Sequence, residues 1–135
     1  YTLVYTLSLH DALPISSEVI LVVDDSQVVV ETVRQALVAD GYPVLVARDG
    51  IEALDVVKNN KIDLILLDID MPRMNGYQLC KILKRDESFK HVPIIMLTAK
   101  SSEADRIWGV KAGSDEYLTK PFNYAKVKDA MKRFL

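Results

Sequence analysis

The chain of 135 residues contains one cysteine, Cys80, so no disulfide can form within it, which is compatible with a reducing compartment. It has no apolar run near the roughly 18 residues that span a bilayer, so we predict no membrane insertion. It also lacks an excess of positive charge, with 17 basic and 19 acidic residues and a net charge of −2. We therefore predict a cytoplasmic protein without a direct nucleic-acid interface.

The first sixteen residues lack the features of a secretory signal, since they have neither a basic start nor a small-residue cleavage site. Within them, residues 7–15 resemble one reading frame of a common sequencing adapter. We interpret residues 1–16 as a non-native segment without function, with a natural extension as the alternative. The chain is 50% hydrophobic and 27% charged, so residues 17–135 are expected to form one globular domain with a core of its own.

Five short apolar runs alternate with five amphipathic stretches after residue 17. Runs this short, rich in aliphatic residues and bounded by turn residues, are typical of strands that are buried on both faces. The alternation predicts a doubly wound α/β fold, with a five-stranded parallel sheet flanked by five helices. The predicted strands are residues 19–23, 44–46, 64–67, 94–97 and 115–118.

The helices are predicted from caps and from apolar spacing. Ser26 and Ser102 are expected to cap the helices that follow them, Gly41 to end a helix in the left-handed conformation, and Gly113 to end a later helix. Helical spacing predicts which side chains face the core. They are Val29, Val30, Val33 and Leu37 on the first helix, Ile51, Leu54 and Val57 on the second, and Leu79, Ile82 and Leu83 on the third.

Polar side chains follow four of the predicted strands, and parallel strands end at the same edge of a sheet. Asp24, Asp25, Asp68, Thr98 and Lys120 are therefore expected to surround one crevice. Carboxylates so close together repel unless a cation compensates them, and an oxygen-rich site of this kind suits Mg²⁺. With a hydroxyl and an ammonium nearby, the group can hold a phosphoryl group in transfer, and Asp68 would be the nucleophile.

Five motifs in this order resemble the receiver domain of two-component response regulators, over about residues 19–135. The resemblance implies a CheY-like, flavodoxin-like fold for residues 17–135. The motifs are Val22-Val23-Asp24-Asp25-Ser26, Ala47-Arg48-Asp49-Gly50-Ile51-Glu52-Ala53-Leu54, Asp68-x-x-Met71-Pro72-x-Met74-x-Gly76, Thr98-Ala99 and Lys120-Pro121-Phe122.

By this resemblance, Asp68 accepts a phosphoryl group from a histidine kinase or a histidine phosphotransfer protein. Asp24 and Asp25 hold Mg²⁺ together with Asp68, and the backbone carbonyl of Asp70 completes the protein ligands. The resemblance implies no enzymatic turnover beyond intrinsic self-dephosphorylation. Asp70 is acidic where the family often has an amide or an apolar residue, and we hypothesise that it pairs with Lys100 and shields the acyl phosphate from water.

The resemblance also implies a conformational switch. Thr98 and Lys120 would bind the phosphoryl group, and the Thr98 hydroxyl would move toward it, so that the Tyr117 ring can enter the space vacated. The altered surface would be the face formed by residues 102–134, which a downstream effector protein would read. The peptide bond between Lys120 and Pro121 is expected to be cis.

Two other functions remain open from the sequence. Asp68-Ile69-Asp70 resembles the start of haloacid-dehalogenase-type phosphatases, with Asp70 as the acid, although that motif normally lies on the first strand of its domain. A receiver-like interaction module that is never phosphorylated is the other alternative. The sequence also leaves open whether Trp108 is a core residue or an exposed partner anchor, and Cys80 is expected to be a small core residue.

Overall fold

The structure is a computed structural model that describes residues 16–135, so the predicted non-native segment lies outside the described residues apart from Ser16. Strands and helices alternate strictly along the chain, as the sequence predicts. The elements are β1 (Ile20–Val23), α1 (Gln27–Ala39), β2 (Val44–Ala47), α2 (Gly50–Asn59), β3 (Leu64–Leu67), α3 (Gly76–Arg85), β4 (Ile94–Thr98), α4 (Glu103–Ala112), β5 (Glu116–Thr119) and α5 (Tyr124–Lys132).

The five strands form one parallel sheet in the order β2-β1-β3-β4-β5. This confirms the predicted doubly wound fold with five flanking helices. The central strand is β3, and it pairs on one side with β1, where Val23 lies opposite Leu67. The carboxyl ends of these two strands therefore lie side by side.

The sheet separates two hydrophobic layers. On β1, Leu21 and Val23 face the layer formed with α2 and α3, whereas Ile20 and Val22 face the layer formed with α1 and α5. Every residue of β1 and β3 is buried. The unbroken aliphatic runs in the sequence follow from this burial on both faces, and they make the sheet a rigid support for the loops at its edge.

The helix ends agree with the predicted caps. The Ser26 hydroxyl accepts a hydrogen bond from the backbone of Val29, and Ser102 forms a capping box with Asp105. Gly113 ends α4 in the left-handed conformation with φ 97°, and Gly41, just after α1, has φ 92°. Such a positive φ places no penalty on glycine, which explains the residue type at both ends.

Two residues predicted to face the core are instead exposed. Ile51 of α2 is 49% exposed and Ile82 of α3 is 41% exposed. The buried face of α3 is formed by Leu79, Cys80 and Leu83, so its centre is rotated about 100° away from Ile82 on a helix of about 3.6 residues per turn. Cys80 is fully buried, which confirms its assignment to the core.

Trp108, whose position the sequence leaves open, is on the surface of α4 and 54% exposed. The amino group of Lys111 lies 5.4 Å from the centre of its ring. Within residues 16–135, none of the helices combines the length and the apolar character needed to cross a bilayer.

Candidate functional site

The register of β1 and β3 brings three carboxylates together. Asp24 and Asp68 each follow the last residue of their strand, and their backbone N–H groups continue the ladder by donating to Ala47 and Val23, at 3.1 and 2.9 Å. One oxygen from each of Asp24, Asp25 and Asp68 lies within 4.8 Å of the others. Asp24 and Asp68 are buried and Asp25 is exposed, so the cluster opens to solvent on one side.

Lys120 brings a positive charge to this cluster from the loop after β5. Its Nζ lies 2.8 Å from Oδ2 of Asp24 and 3.8 Å from Oδ1 of Asp68. Its backbone N–H donates to the carbonyl of Thr98 at 2.8 Å, which holds the loop against the end of β4. The peptide bond between Lys120 and Pro121 is cis, as expected.

The charges of the cluster are not balanced by Lys120 alone. Burial and the neighbouring Asp24 carboxylate together raise the pKa of Asp68 to about 6, although Lys120 opposes the rise. Three hard carboxylate oxygens that face one another beside a single ammonium form a donor set with excess negative charge. This set fits a small divalent cation such as Mg²⁺, which prefers carboxylate and carbonyl oxygens together with water.

Thr98 and Lys100 link the cluster to the surface. The Thr98 side chain is fully buried, and it lies within hydrogen-bond reach of Asp68, an interaction that lowers the pKa of that carboxyl. Its hydroxyl oxygen accepts from the backbone N–H of Lys100 at 3.2 Å. The Lys100 amino group lies 3.5 Å from Oδ1 of Asp70, so the pair predicted from the sequence is present.

Tyr117 points inward beneath α4. The residue is 7% exposed, and its hydroxyl donates to the backbone carbonyl of Lys100 at 2.6 Å. The guanidinium carbon of Arg106 lies 5.2 Å from the centre of the ring. A Cβ at Gly109 would come within 2.8 Å of the ring, so the ring occupies space that only glycine leaves free.

Tyr77 and Gly109 also shape this region, although neither is predicted from the sequence. The Tyr77 hydroxyl donates to the backbone carbonyl of Asp105 at 2.9 Å, which ties the start of α3 to α4. A glycine inside a helix is a detectable signal, because it weakens the helix unless close packing requires it. Tyr77 carries no such signal, since an aromatic residue in a helix is ordinarily read as core.

A cleft of about 530 Å³ adjoins the carboxylates. It is lined by Asp24, Asp25, Gln27, Val28, Val30, Glu31, Val46 and Arg48. Val28 is 77% exposed and borders the cleft with two further valines. The acidic cluster therefore opens beside a partly apolar surface that is large enough to receive a side chain of another molecule.

Comparison with known proteins gives one consistent result. Residues 20–132 match the family model described as the response regulator receiver domain. Response regulator MprA of Mycobacterium sp. (strain KMS) is 42% identical over 116 residues, which are 86% of this chain and 50% of that protein. MprA of Mycobacterium avium (strain 104) is 40% identical over the same shares of the two chains. The chain thus spans about half the length of the curated relatives it matches.

Solved structures agree with the sequence comparisons. Chemotaxis protein CheY4 of Vibrio cholerae is 33% identical with a TM-score of 0.83, and the match covers 89% of this chain and all of that one. Response regulator TrrA of Thermotoga maritima, solved in complex with Mg²⁺ and BeF, is 34% identical with a TM-score of 0.78. That match covers 87% of this chain and 99% of TrrA.

The raised pKa of Asp68 makes a prediction about stability. A carboxyl whose pKa is higher in the folded state than in the unfolded state stabilises the fold below the unfolded value, near 4, and this stabilisation is lost as the pH rises through about 6. Asp68→Asn should therefore be more stable than the unmodified protein at pH 8 in the presence of a chelator. Its free energy of unfolding should be higher by about 1–2 kcal/mol. Solvent screening at the open side keeps this below the full value of the pKa shift.

Urea unfolding followed by circular dichroism at pH 8 and at pH 4 measures the difference, which should shrink toward zero at the lower pH. Equal stability of the two proteins at pH 8 would contradict the prediction.

Proposed function

The chain belongs to the receiver-domain family of response regulators, and from this membership we propose that Asp68 is its phosphoryl acceptor. The observation that carries the proposal is the arrangement at the carboxyl edge of the sheet. There Asp68 lies among two further carboxylates, with the Lys120 ammonium 3.8 Å away and the Thr98 side chain within hydrogen-bond reach.

The transfer step follows from these positions. An Asp68 carboxylate oxygen attacks the phosphorus of a phosphohistidine on a histidine kinase or a histidine phosphotransfer protein. The new O–P bond forms as the N–P bond breaks, and the histidine nitrogen keeps the electron pair. The Lys120 ammonium and the Thr98 hydroxyl hold the phosphoryl oxygens, since both can donate hydrogen bonds to them.

Asp24, Asp25 and Asp68, with the backbone carbonyl of Asp70, are the residues that would hold Mg²⁺. When bound, the ion would neutralise the charge that accumulates between the carboxylates and the incoming phosphoryl oxygens. The excess negative charge of the cluster and the raised pKa of Asp68 support this assignment. The single charge of the Lys120 ammonium can compensate the charge of only one of the three carboxylates.

The output of the proposed switch is the face of residues 102–134. The backbone of Lys100 joins Thr98 to Tyr117, because its N–H donates to the Thr98 hydroxyl and its carbonyl accepts from the Tyr117 hydroxyl. A Thr98 side chain drawn toward the phosphoryl group would alter this link and so change the balance between the inward and outward positions of the Tyr117 ring. On α4, exposed Ile107, Trp108 and Val110 offer an apolar surface for an effector protein.

The geometry argues against the phosphatase alternative. Such an enzyme needs Asp70 as a general acid beside the nucleophile, but the Asp70 side chain is 65% exposed and contacts Lys100. The phospho-aspartate would instead decay by intrinsic hydrolysis, with the pair of Asp70 and Lys100 limiting the access of water. We assign this activity to the cytoplasm, consistent with the single buried Cys80.

The acceptor role is tested by intact mass after incubation with acetyl phosphate and Mg²⁺. The protein should gain the mass of one phosphoryl group, the gain should require Mg²⁺, and Asp68→Asn should abolish it. Asp55→Asn is the matched control, since it removes an exposed carboxylate on α2 that is not part of the acidic cluster and should leave the gain intact. Absence of the gain with both acetyl phosphate and a phosphorylated histidine kinase would contradict the proposal.

The shielding role of Lys100 is tested by the lifetime of the phosphorylated protein. Lys100→Ala should lose the phosphoryl group about two- to fivefold faster, because the shorter side chain no longer limits the access of water to the acyl phosphate. The exposed ion pair itself contributes about 0–1 kcal/mol, so we expect the main effect to be steric. Lys100→Met keeps the bulk and should decay at nearly the original rate. Equal rates for the alanine variant and the unmodified protein would refute the shielding role.

The space beneath Gly109 gives a test of the switch. In Gly109→Ala, the new methyl group would meet the Tyr117 ring, so the ring must leave its inward position or α4 must shift. A penalty of about 1 kcal/mol would lower the ratio of inward to outward ring positions about fivefold. The fluorescence change of Trp108 on phosphorylation should shrink accordingly, while Val110→Ala, an exposed change on the same helix, should preserve it. An unchanged response in Gly109→Ala would show that the ring position is not part of the switch.

A further inference from the structure

The loop between β3 and α3 carries the acceptor Asp68 and the backbone of Asp70, and it is anchored at several points. The Gly76 N–H donates to the Ile69 carbonyl at 2.9 Å, and a Cβ on Gly76 would collide with the carbonyl of Asp68. These contacts fix the end of the loop directly against its beginning. The position of the Asp70 carbonyl then depends on how the middle of the loop turns.

The middle of the loop turns at Arg73, which has φ 66°. Among residues 16–135, Arg73 is the one non-glycine residue with a positive φ. This conformation suits glycine, asparagine or aspartate better than a long side chain. The choice of arginine at this position therefore indicates a role for its side chain.

The Arg73 side chain bonds to Asp49 at the start of α2. Asp49 is 4% exposed, and its Oδ1 accepts from the backbone of Glu52 at 2.9 Å, which caps the helix. Its other oxygen receives the Arg73 guanidinium. The hydrogen bond from Glu52 and the charge of Arg73 both lower the pKa of this carboxyl, so it stays charged at neutral pH.

A second contact joins the same two segments. A Cβ on Gly50, the residue after Asp49, would come within 2.7 Å of the Met74 sulfur. The side chain next to Arg73 thus packs closely on the backbone next to Asp49. Two adjacent residues of the acceptor loop are held by two adjacent residues at the start of α2.

We propose that Arg73 is a positioning residue for the acceptor site, which it controls through its ion pair with Asp49. The pair holds the turn of the loop against the capped end of α2, and this turn sets the direction of the Asp70 backbone toward the magnesium position. Neither residue belongs to the proposed ligand set. The proposal rests on the proposed function, because the ligand set includes the Asp70 carbonyl.

A general electrostatic role for these two charges makes a different prediction. Removal of the positive charge of Arg73 would strengthen Mg²⁺ binding, whereas removal of the negative charge of Asp49 would weaken it. If the ion pair positions the loop, loss of either charge weakens Mg²⁺ binding. Loss of both charges then weakens it no more than loss of one. The signs of the two effects therefore separate the two roles.

The test uses Arg73→Asn, Asp49→Asn and the double variant. Asparagine tolerates the left-handed conformation at residue 73, and at residue 49 it remains a good helix cap while it replaces one acceptor oxygen with a donor. Arg85→Gln is the matched control, because Arg85 of α3 lines a surface groove together with Arg73, and the substitution removes one positive charge there. Thermal unfolding followed by circular dichroism confirms that each variant is folded.

Mg²⁺ affinity is measured by isothermal titration, and hydrogen exchange of the Met74 and Gly76 amides is measured without the ion. Each single variant and the double variant should bind Mg²⁺ about three- to tenfold more weakly. This loss is equal to or somewhat smaller than the loss of metal affinity typical of mutating a residue that supports a metal ligand. Both amides should exchange faster in these variants and not in Arg85→Gln.

Affinity changes of opposite sign in the two single variants, or unchanged affinity in both, would overturn the positioning role while the unmodified protein still binds Mg²⁺. Failure of the unmodified protein to bind Mg²⁺ would instead overturn the proposed function and this proposal with it.

Discussion

The repulsion between carboxylates at the ends of the adjacent strands β1 and β3 is the constraint on which the rest of the structure depends. Because Val23 and Leu67 lie opposite each other, the next residues, Asp24 and Asp68, are placed side by side and buried. In an irregular loop these side chains could separate. Here the strands are held by their ladder and by two hydrophobic layers, so the unfavourable charge is maintained by the fold and is available to a cation or a phosphoryl group.

The sequence predicts the sheet and the main features of the site well, because both depend on short-range signals. Aliphatic runs that end in Asp24, Asp68 or Thr98 identify the strands and the edge at which their ends meet. Caps such as Ser26 and Ser102 depend on residues three positions apart, so they too can be read from the chain. The predicted β5, residues 115–118, begins one residue before the observed strand, Glu116–Thr119. The end of this strand has no clear apolar signal, because Leu118 and Thr119 are both only partly buried at the edge of the sheet.

The features that the sequence does not predict depend on contacts between distant segments. Ile51 and Ile82 fit an apolar stripe, but the faces that α2 and α3 bury are set by packing on the sheet and leave both side chains exposed. The ion pair between Arg73 and Asp49 joins residues 24 positions apart, and each residue alone is typical of a turn or a helix cap. The role of Gly109 likewise becomes visible only with the Tyr117 ring in place.

These contacts divide the molecule into a fixed part and a part that can respond. The acceptor loop is fixed by Gly76 against the backbone of Asp68 and by Met74 against Gly50. By contrast, the buried residues of α4 are Gly109, which has no side chain, and Ala112, which has a small one, so the helix buries little apolar side chain. We therefore expect a shift of α4 to cost little hydrophobic free energy.

The Lys100 backbone, which bonds to both Thr98 and Tyr117, lies at the boundary between these parts. A change in charge at Asp68 is thus expected to leave the acceptor loop in place and to shift α4. Trp108 and its exposed apolar neighbours on this helix are accessible to a partner protein.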